Sequence, residues 1–248
     1  MTPDRISCGF LPLVDCAPLV VARELGFAAE ESLDLNLMRM PSWSALRDQL
    51  AFGVLDAAQM LSPMPVAMSM GLGGAPKMVD VLSVLSVNGD VIGASIPLVR
   101  KMRAVGGMDD FADAAAVGRA LIAATKGKLR IGVPFPFSMH AELLSYWLNA
   151  LGLEGPERLD MRTIPPQKMS AAVAADEIDL FCVGEPWGGF AVASGAAERS
   201  SCPALQSGRF HLRKFWLSDM RMPNLTGPRA FCALSGGQGD GLAIRETG

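Results

Sequence analysis

Aromatic residues are scarce in this chain. They make up 6% of its 248 residues, and only one is a tyrosine. Charge is thin as well, at 19%, and neither sign dominates: 22 basic residues stand against 25 acidic ones. A net charge of −3 and a pI near 5.5 exclude nucleic-acid binding as the default, because a basic stripe is needed to neutralise phosphates. Direct contact with nucleic acid is therefore not expected. No run of about 20 apolar residues exists, so no membrane insertion is expected. The N-terminus, Met1-Thr-Pro-Asp-Arg-Ile-Ser-Cys8, lacks a basic segment followed by an apolar core and a small-residue cleavage site. The expected location is the cytosol; a periplasmic one requires a leader absent from the written sequence. The cysteines number five, with no C-x-x-C among them, which supports neither a disulfide framework nor a zinc site. No G-x-S-x-G, Walker loop or zinc spacing is found either, so neither a cofactor nor a metal is expected.

What the chain does have is apolar bulk. Half of it is hydrophobic, with a mean hydropathy of +0.29 and 26 glycines. That is enough for one large domain or two small ones. Ile6, Cys8 and Phe10 alternate as a strand does, and Asp15 with Pro18 opens a helix that Gly26 ends. Leu33 to Leu37 is a second strand, Ser42 starts a helix ending at Phe52, Leu55 to Met60 is a buried strand, and Ser62-Pro63 opens a helix. Val79 to Val87 is a strand, and Asn88-Gly89 is a turn. The pattern then repeats. Phe111 to Ala124 reads as helix, Leu129 to Val133 as strand and Ser138 to Leu151 as helix; Asp160 to Ile164 is strand, Pro165 to Ala175 helix and Ile178 to Val183 strand. Alternation at this spacing predicts an α/β fold with parallel strands and crossover helices. Two such units with a switch near Asn88–Ala94 predict two lobes around a cleft. The expected division is residues 1–90 for lobe I, 91–194 for lobe II, and a tail over 195–248 without periodicity.

Six stretches in order carry a resemblance. They are Gly9-Phe-Leu-Pro-Leu-Val-Asp-Cys-Ala-Pro-Leu19, Pro41-Ser-Trp-Ser-Ala-Leu-Arg-Asp48, Leu55-Asp-Ala-Ala-Gln-Met-Leu-Ser-Pro-Met-Pro65, Asn88-Gly-Asp90, Phe135-Pro-Phe-Ser-Met-His140 and Phe181-Cys-Val-Gly-Glu-Pro-Trp187. Together they resemble the nitrate- and bicarbonate-binding solute receptors of ABC transporters, and among these the cytoplasmic nitrate sensors that restrain an RNA-binding antiterminator. The resemblance implies a periplasmic-binding-protein fold of type II with a small planar oxyanion between the lobes. Nitrate and nitrite are the leading ligands and bicarbonate the next. The implied partner is an ABC permease or an antiterminator protein. Sulfonate binding, or an enzyme of thiamine-pyrimidine or menaquinone synthesis on the same fold, is the alternative. The first of those enzymes needs clustered cysteines and active-site histidines; the cysteines do not cluster, and only His140 is available before the tail.

A planar, weakly basic anion calls for a few neutral donors and a flat wall rather than a cluster of lysines. Trp43 starts a helix and offers an indole N–H and a ring, and it matches the family's pocket tryptophan; otherwise it is a core anchor. His140 also lies near a helix start and matches a pocket donor; otherwise it is a structural histidine. Gly184 permits close backbone approach. Glu185-Pro-Trp187 is either part of the site or a plain strand-to-loop turn. Asp90 stands where the family usually has a Gln or Asn amide, and its carboxylate repels an anion unless it is protonated or paired with a cation. Gln59, where relatives often carry His, is read as a supporting residue at most.

The tail fits a shifted reading frame. Read from the third letter of each codon, Phe210 to Trp216 can encode Pro-Pro-Glu-Lys-Val-Leu, text of the kind the family carries there. A frameshift near Gly195 follows as an expectation. It leaves the returning part of lobe I incomplete, places Leu212-Arg213 where the family's site glutamate falls, and strips His211, Cys202 and Cys232 of functional meaning.

Overall fold

The computed structural model describes residues 3–87, 89–106, 113–199 and 213–218. In its first part the strands are β1 (Asp4–Phe10), β2 (Leu33–Arg39), β3 (Ala57–Leu61) and β4 (Asp80–Val87), and the helices are α1 (Ala17–Glu24), α2 (Phe27–Glu30), α3 (Trp43–Ala51) and α4 (Met64–Ser69). The second part holds β5 (Asp90–Ser95), β6 (Leu129–Val133), β7 (Leu159–Thr163), β8 (Leu180–Gly184) and β9 (Ala197–Arg199), with α5 (Ile96–Ala104), α6 (Ala114–Ala124), α7 (Met139–Ala150), α8 (Met169–Ala174) and α9 (Trp187–Ala193). A last strand, β10 (Arg213–Ser218), follows.

These strands form two five-stranded sheets, ordered β2-β1-β3-β10-β4 and β7-β6-β8-β5-β9. In each, three strands run parallel and are joined by crossover helices, as the alternating pattern predicts. Every residue of β3, β5 and β8 is buried, which is what central strands covered on both faces require. The chain crosses between the sheets from β4 to β5 through Gly89, whose φ of +88° is costly for any residue with a Cβ. Asn88 of that expected turn lies outside the described residues.

Local signals account for several helix starts. Ser42, Ser95, Asp113 and Ser138 each accept a backbone N–H three residues on, at Ala45, Leu98, Ala116 and Ala141 respectively. Asp15 does not cap the first helix; it is buried in a single 3-10 turn over Val14–Cys16, and Cys16 precedes α1 without a side-chain cap. Gly26 ends α1 but leads straight into the short α2. β5, α5, α9 and β9 carry no expectation from the sequence; for the first two, Val91 to Val99 is a mainly apolar run without a clear period. Of the expected tail, residues 195–199 and 213–218 are described. The first of these stretches adds β9 to the second sheet, antiparallel to β5. The other pairs antiparallel with both β3 and β4 in the first. His211, Leu212, Cys202 and Cys232 lie outside the described residues, as does Phe111.

Candidate functional site

The seam between the two sheets is closed by side chains from both. Trp43, Leu46 and Leu50 line one face of α3 and pack with Leu11, Leu13, Met60 and Met64. Phe135, from the loop after β6, is buried in that same cluster, and Phe137 and Trp187 pack against it. The Arg47 guanidinium stands 5.8 Å from the centre of the Phe135 ring. Three hydrogen bonds join the halves directly. Val14 N donates to Glu185 O at 2.9 Å, Trp187 Nε1 to Pro12 O at 2.8 Å, and Gln167 Nε2 to Pro41 O at 2.6 Å.

Asp90 and His140 meet inside this arrangement. Asp90 opens β5 and pairs across the ladder with Gly184, the last residue of β8. His140 occupies the first turn of α7, behind Ser138, whose Oγ donates to Phe135 O at 2.6 Å. His140 Nε2 lies 2.8 Å from Asp90 Oδ1, with the two side chains 2% and 4% exposed. A buried carboxylate needs such a partner, since desolvation without one costs several kcal/mol. The histidine ring is thus the side chain that faces the Asp90 carboxylate. The other acids at the crossing are Asp15, whose Oδ1 is 3.9 Å from where a Cβ on Gly89 would stand, and Glu185. Glu185 turns its Oε2 to Gly189 N at 2.9 Å, at the start of α9. That contact matches the strand-to-loop reading of Glu185-Pro-Trp187.

Trp43 and Gln59 complete the picture on the side of the first sheet. Trp43 is 1% exposed, and its Nε1 has no hydrogen-bond partner. Gln59, on β3, is fully buried; its Oε1 accepts from Leu11 N at 3.2 Å, while its Nε2 has no partner. Both ring nitrogens of His140 are likewise buried without a hydrogen-bond partner, although Nε2 lies close to Asp90 Oδ1. Leaving a buried polar group unmatched costs about 1–3 kcal/mol, so these atoms require an explanation, and a bound polar ligand supplies one. Gln59 is the residue that the sequence undervalues. The signal was a lone amide inside an apolar strand.

Among the described residues no group of three His, Cys, Asp or Glu side chains is placed to hold a metal ion. Cys8, Cys16 and Cys182 are buried, and burial pushes the Cys16 thiol up, which keeps it from acting as a nucleophile. Among the described residues no helix is long and apolar enough to cross a membrane.

The NMT1-like family model matches residues 2–198. The chain belongs to the NMT1-like family. It is 38% identical over 191 residues to the nitrate import ATP-binding protein NrtC of Synechocystis sp., covering 76% of this chain and 27% of that one. It is 40% identical over 190 residues to the bicarbonate transport ATP-binding protein CmpC of Synechococcus elongatus, covering 75% and 27%. The nitrate/nitrite binding protein NrtA of Synechocystis sp. is 36% identical over 186 residues, covering 72% and 40%. The chain thus spans roughly a quarter to two fifths of the length of these curated relatives. Among solved structures, the periplasmic nitrate-binding protein NrtA from Synechocystis superposes with a TM-score of 0.77 at 30% identity, covering 94% of this chain and 59% of that one. The alkanesulfonate-binding protein SsuA from Xanthomonas axonopodis shares the fold, with a TM-score of 0.62 at 18% identity, covering 89% and 67%. The expected fold, that of the periplasmic solute-binding proteins, is therefore the fold of this chain.

Proposed function

We propose that this protein is a non-catalytic receptor for a small planar oxyanion of the nitrate, nitrite and hydrogencarbonate kind, held between the two lobes. The observation that carries the reading is the set of buried, unmatched polar atoms at the seam: Trp43 Nε1, Gln59 Nε2 and His140 Nδ1. The names of the relatives, which print nitrate, nitrite and bicarbonate, point to the same ligand class. Trp43 and Gln59 offer hydrogens to the anion's oxygens, the Trp43 ring walls the site, and Gly184 keeps the backbone close beneath Asp90.

In this reading the ligand acts by bridging. An anion bonded to groups of both lobes favours the closed arrangement by its differential affinity for that state. The partner that reads closure is an ABC permease. A sensor that controls an antiterminator in the cytoplasm is the second form. The solute-binding relatives support a receptor rather than an enzyme on this fold.

The test is titration calorimetry with sodium nitrate, nitrite and hydrogencarbonate. Saturable one-to-one binding of at least one of them is expected. Failure of all three on a properly folded protein overturns the reading.

A further inference from the structure

The hydrogen bonds that join the two halves differ in where they act. The bond from Val14 N to Glu185 O lies at the chain crossing, since Glu185 N also donates to Gly89 O at 3.1 Å. Gly89 is where the chain passes from β4 to β5. Trp187, which donates to Pro12 O, follows Glu185 closely and bonds in the same neighbourhood. Gln167 Nε2 and Pro41 O meet elsewhere. Among the described residues, Pro41 follows β2, the outermost strand of the first sheet, and Gln167 follows β7, the outermost strand of the second. The crossing joins β4 to β5, four ladder steps from β2 and three from β7. At about 4.8 Å a step, this bond stands roughly 14–19 Å from the crossing. A rotation of about 20–30° about the crossing would carry its partners about 5–10 Å apart, while groups beside the crossing would barely move.

The amide is also seated in a way that packing alone does not explain. Turned the other way round, it would set Oε1 against the Pro41 carbonyl, two acceptors face to face. Nε2 is therefore the donor, at 2.6 Å, and Oε1 is left buried without a partner. An unmatched buried acceptor opposes folding, so an apolar side chain of the same length would suit the fold better. The other end of the bond bears on the candidate site. Pro41 stands just before Ser42, which caps α3 by accepting from Ala45 N at 3.1 Å, and Trp43 is the first residue of that helix. A hold on the Pro41 carbonyl acts on the short capped segment that sets the Trp43 ring.

We propose that Gln167 is the clasp of the receptor, a positioning residue that ties the lobes together at the edge farthest from the crossing and so prolongs the stay of a bound anion. It touches no ligand in this role. The effect on ligand rests on the oxyanion reading above. The clasp itself joins two groups of this chain and acts with or without an anion.

The experiment compares the unmodified protein with Gln167→Met and Gln167→Ala. Methionine keeps the length of the side chain and removes the amide; alanine removes the stem as well. Each protein is studied by stopped-flow tryptophan fluorescence with sodium nitrate, nitrite and hydrogencarbonate, by small-angle X-ray scattering without any anion, and by urea unfolding. Loss of one hydrogen bond from the closed arrangement should raise the dissociation rate about 2- to 10-fold in both variants and leave the association rate within about twofold. Without anion, both variants should show a larger radius of gyration than the unmodified protein. The urea midpoint of Gln167→Met should not fall, because no packing is lost. A dissociation rate within about twofold in Gln167→Met makes Gln167 a packing residue and overturns the inference. A change confined to the association rate, or a lowered urea midpoint in Gln167→Met, overturns it too. Equal radii of gyration overturn the clasp whether or not an anion binds. If none of the three anions binds the unmodified protein, the oxyanion reading falls, and the scattering comparison alone decides the clasp.

Discussion

Trp43→Phe separates a ligand-binding ring from a core ring, because the two roles predict different signs. In the unliganded protein the indole Nε1 is buried without a partner, which costs about 1–3 kcal/mol. Phenylalanine removes that cost. It also removes roughly 40 Å³ of ring, and at about 24 cal/mol per Å³ the space left behind costs about 1 kcal/mol, with a similar further loss of apolar burial. These terms nearly cancel. The variant should therefore hold its stability to within about 1 kcal/mol. Binding behaves differently. A hydrogen bond from Nε1 to an anionic oxygen contributes about 1.5–3 kcal/mol, so its loss should weaken Kd roughly 10- to 150-fold. Urea unfolding followed by circular dichroism gives the first number, and calorimetry with hydrogencarbonate and nitrate gives the second. An affinity within twofold of the parent refutes the reasoning and makes Trp43 a core residue only. So does a stability loss of several kcal/mol with unchanged binding.

Other residues give simpler expectations. Gly93 lies against Phe181, and a Cβ there would stand 2.2 Å from a ring carbon that is fully buried, so Gly93→Ala should lower stability by about 1–3 kcal/mol in urea unfolding. Gln59→Glu keeps the acceptor for Leu11 N but replaces the amide donor, so it should reduce anion affinity at least about tenfold by calorimetry. Burial opposes ionisation of Asp179, but the Arg130 side chain, backbone N–H and charge outweigh it and hold the carboxyl below its ordinary value. Its stabilising contribution is therefore full above the unfolded value near about 4 and is lost as pH falls through the lower folded value. Unfolding free energies measured between neutral and acid pH should show that loss, and Arg130→Met should flatten it. Restoring the reading frame after Gly195 should raise stability and anion affinity together, and an uninterrupted genomic frame whose codons forbid Pro-Glu-Lys there refutes the frameshift.

Much of the fold was legible because periodicity and caps act locally. Ser42 and Ser138 mark helix starts by one side-chain bond each, and β3 reads as a buried strand and β8 as a strand from short apolar runs. β5 and α5 were not legible, since a strand buried on both faces followed at once by an amphipathic helix leaves one continuous apolar stretch. Asp15 misled because a residue type that caps helices also sits well in buried turns. The site divides along the same line. Trp43, Asp90 and His140 could be picked out by residue type and by resemblance, and the structure brings Asp90 and His140 together. The unmatched atoms of Trp43 and His140 could not be foreseen, because satisfaction of a buried polar atom depends on groups from distant parts of the chain. Gln59 shows this most clearly: an amide on β3 looks incidental until Leu11 is seen to occupy its oxygen and nothing occupies its nitrogen.

The tail tests how far a local signal can stand in for a global one. The family match stops at residue 198, close to where periodicity stops. Yet Arg213–Ser218 pairs with β3 and β4 in the first sheet. Backbone pairing is nearly indifferent to side chains, so a strand of almost any composition can complete a ladder. Covering the sheet is not indifferent, because it needs an apolar face at the right spacing. Val81, Val84 and Val87 on β4 are 38%, 38% and 47% exposed, while Leu82 and Leu85 pack against the core. On this argument, restoring the frame should bury those valines. Their amide-exchange protection should then rise along with anion affinity, whereas a rise in affinity with β4 unchanged would separate the binding defect from the missing cover.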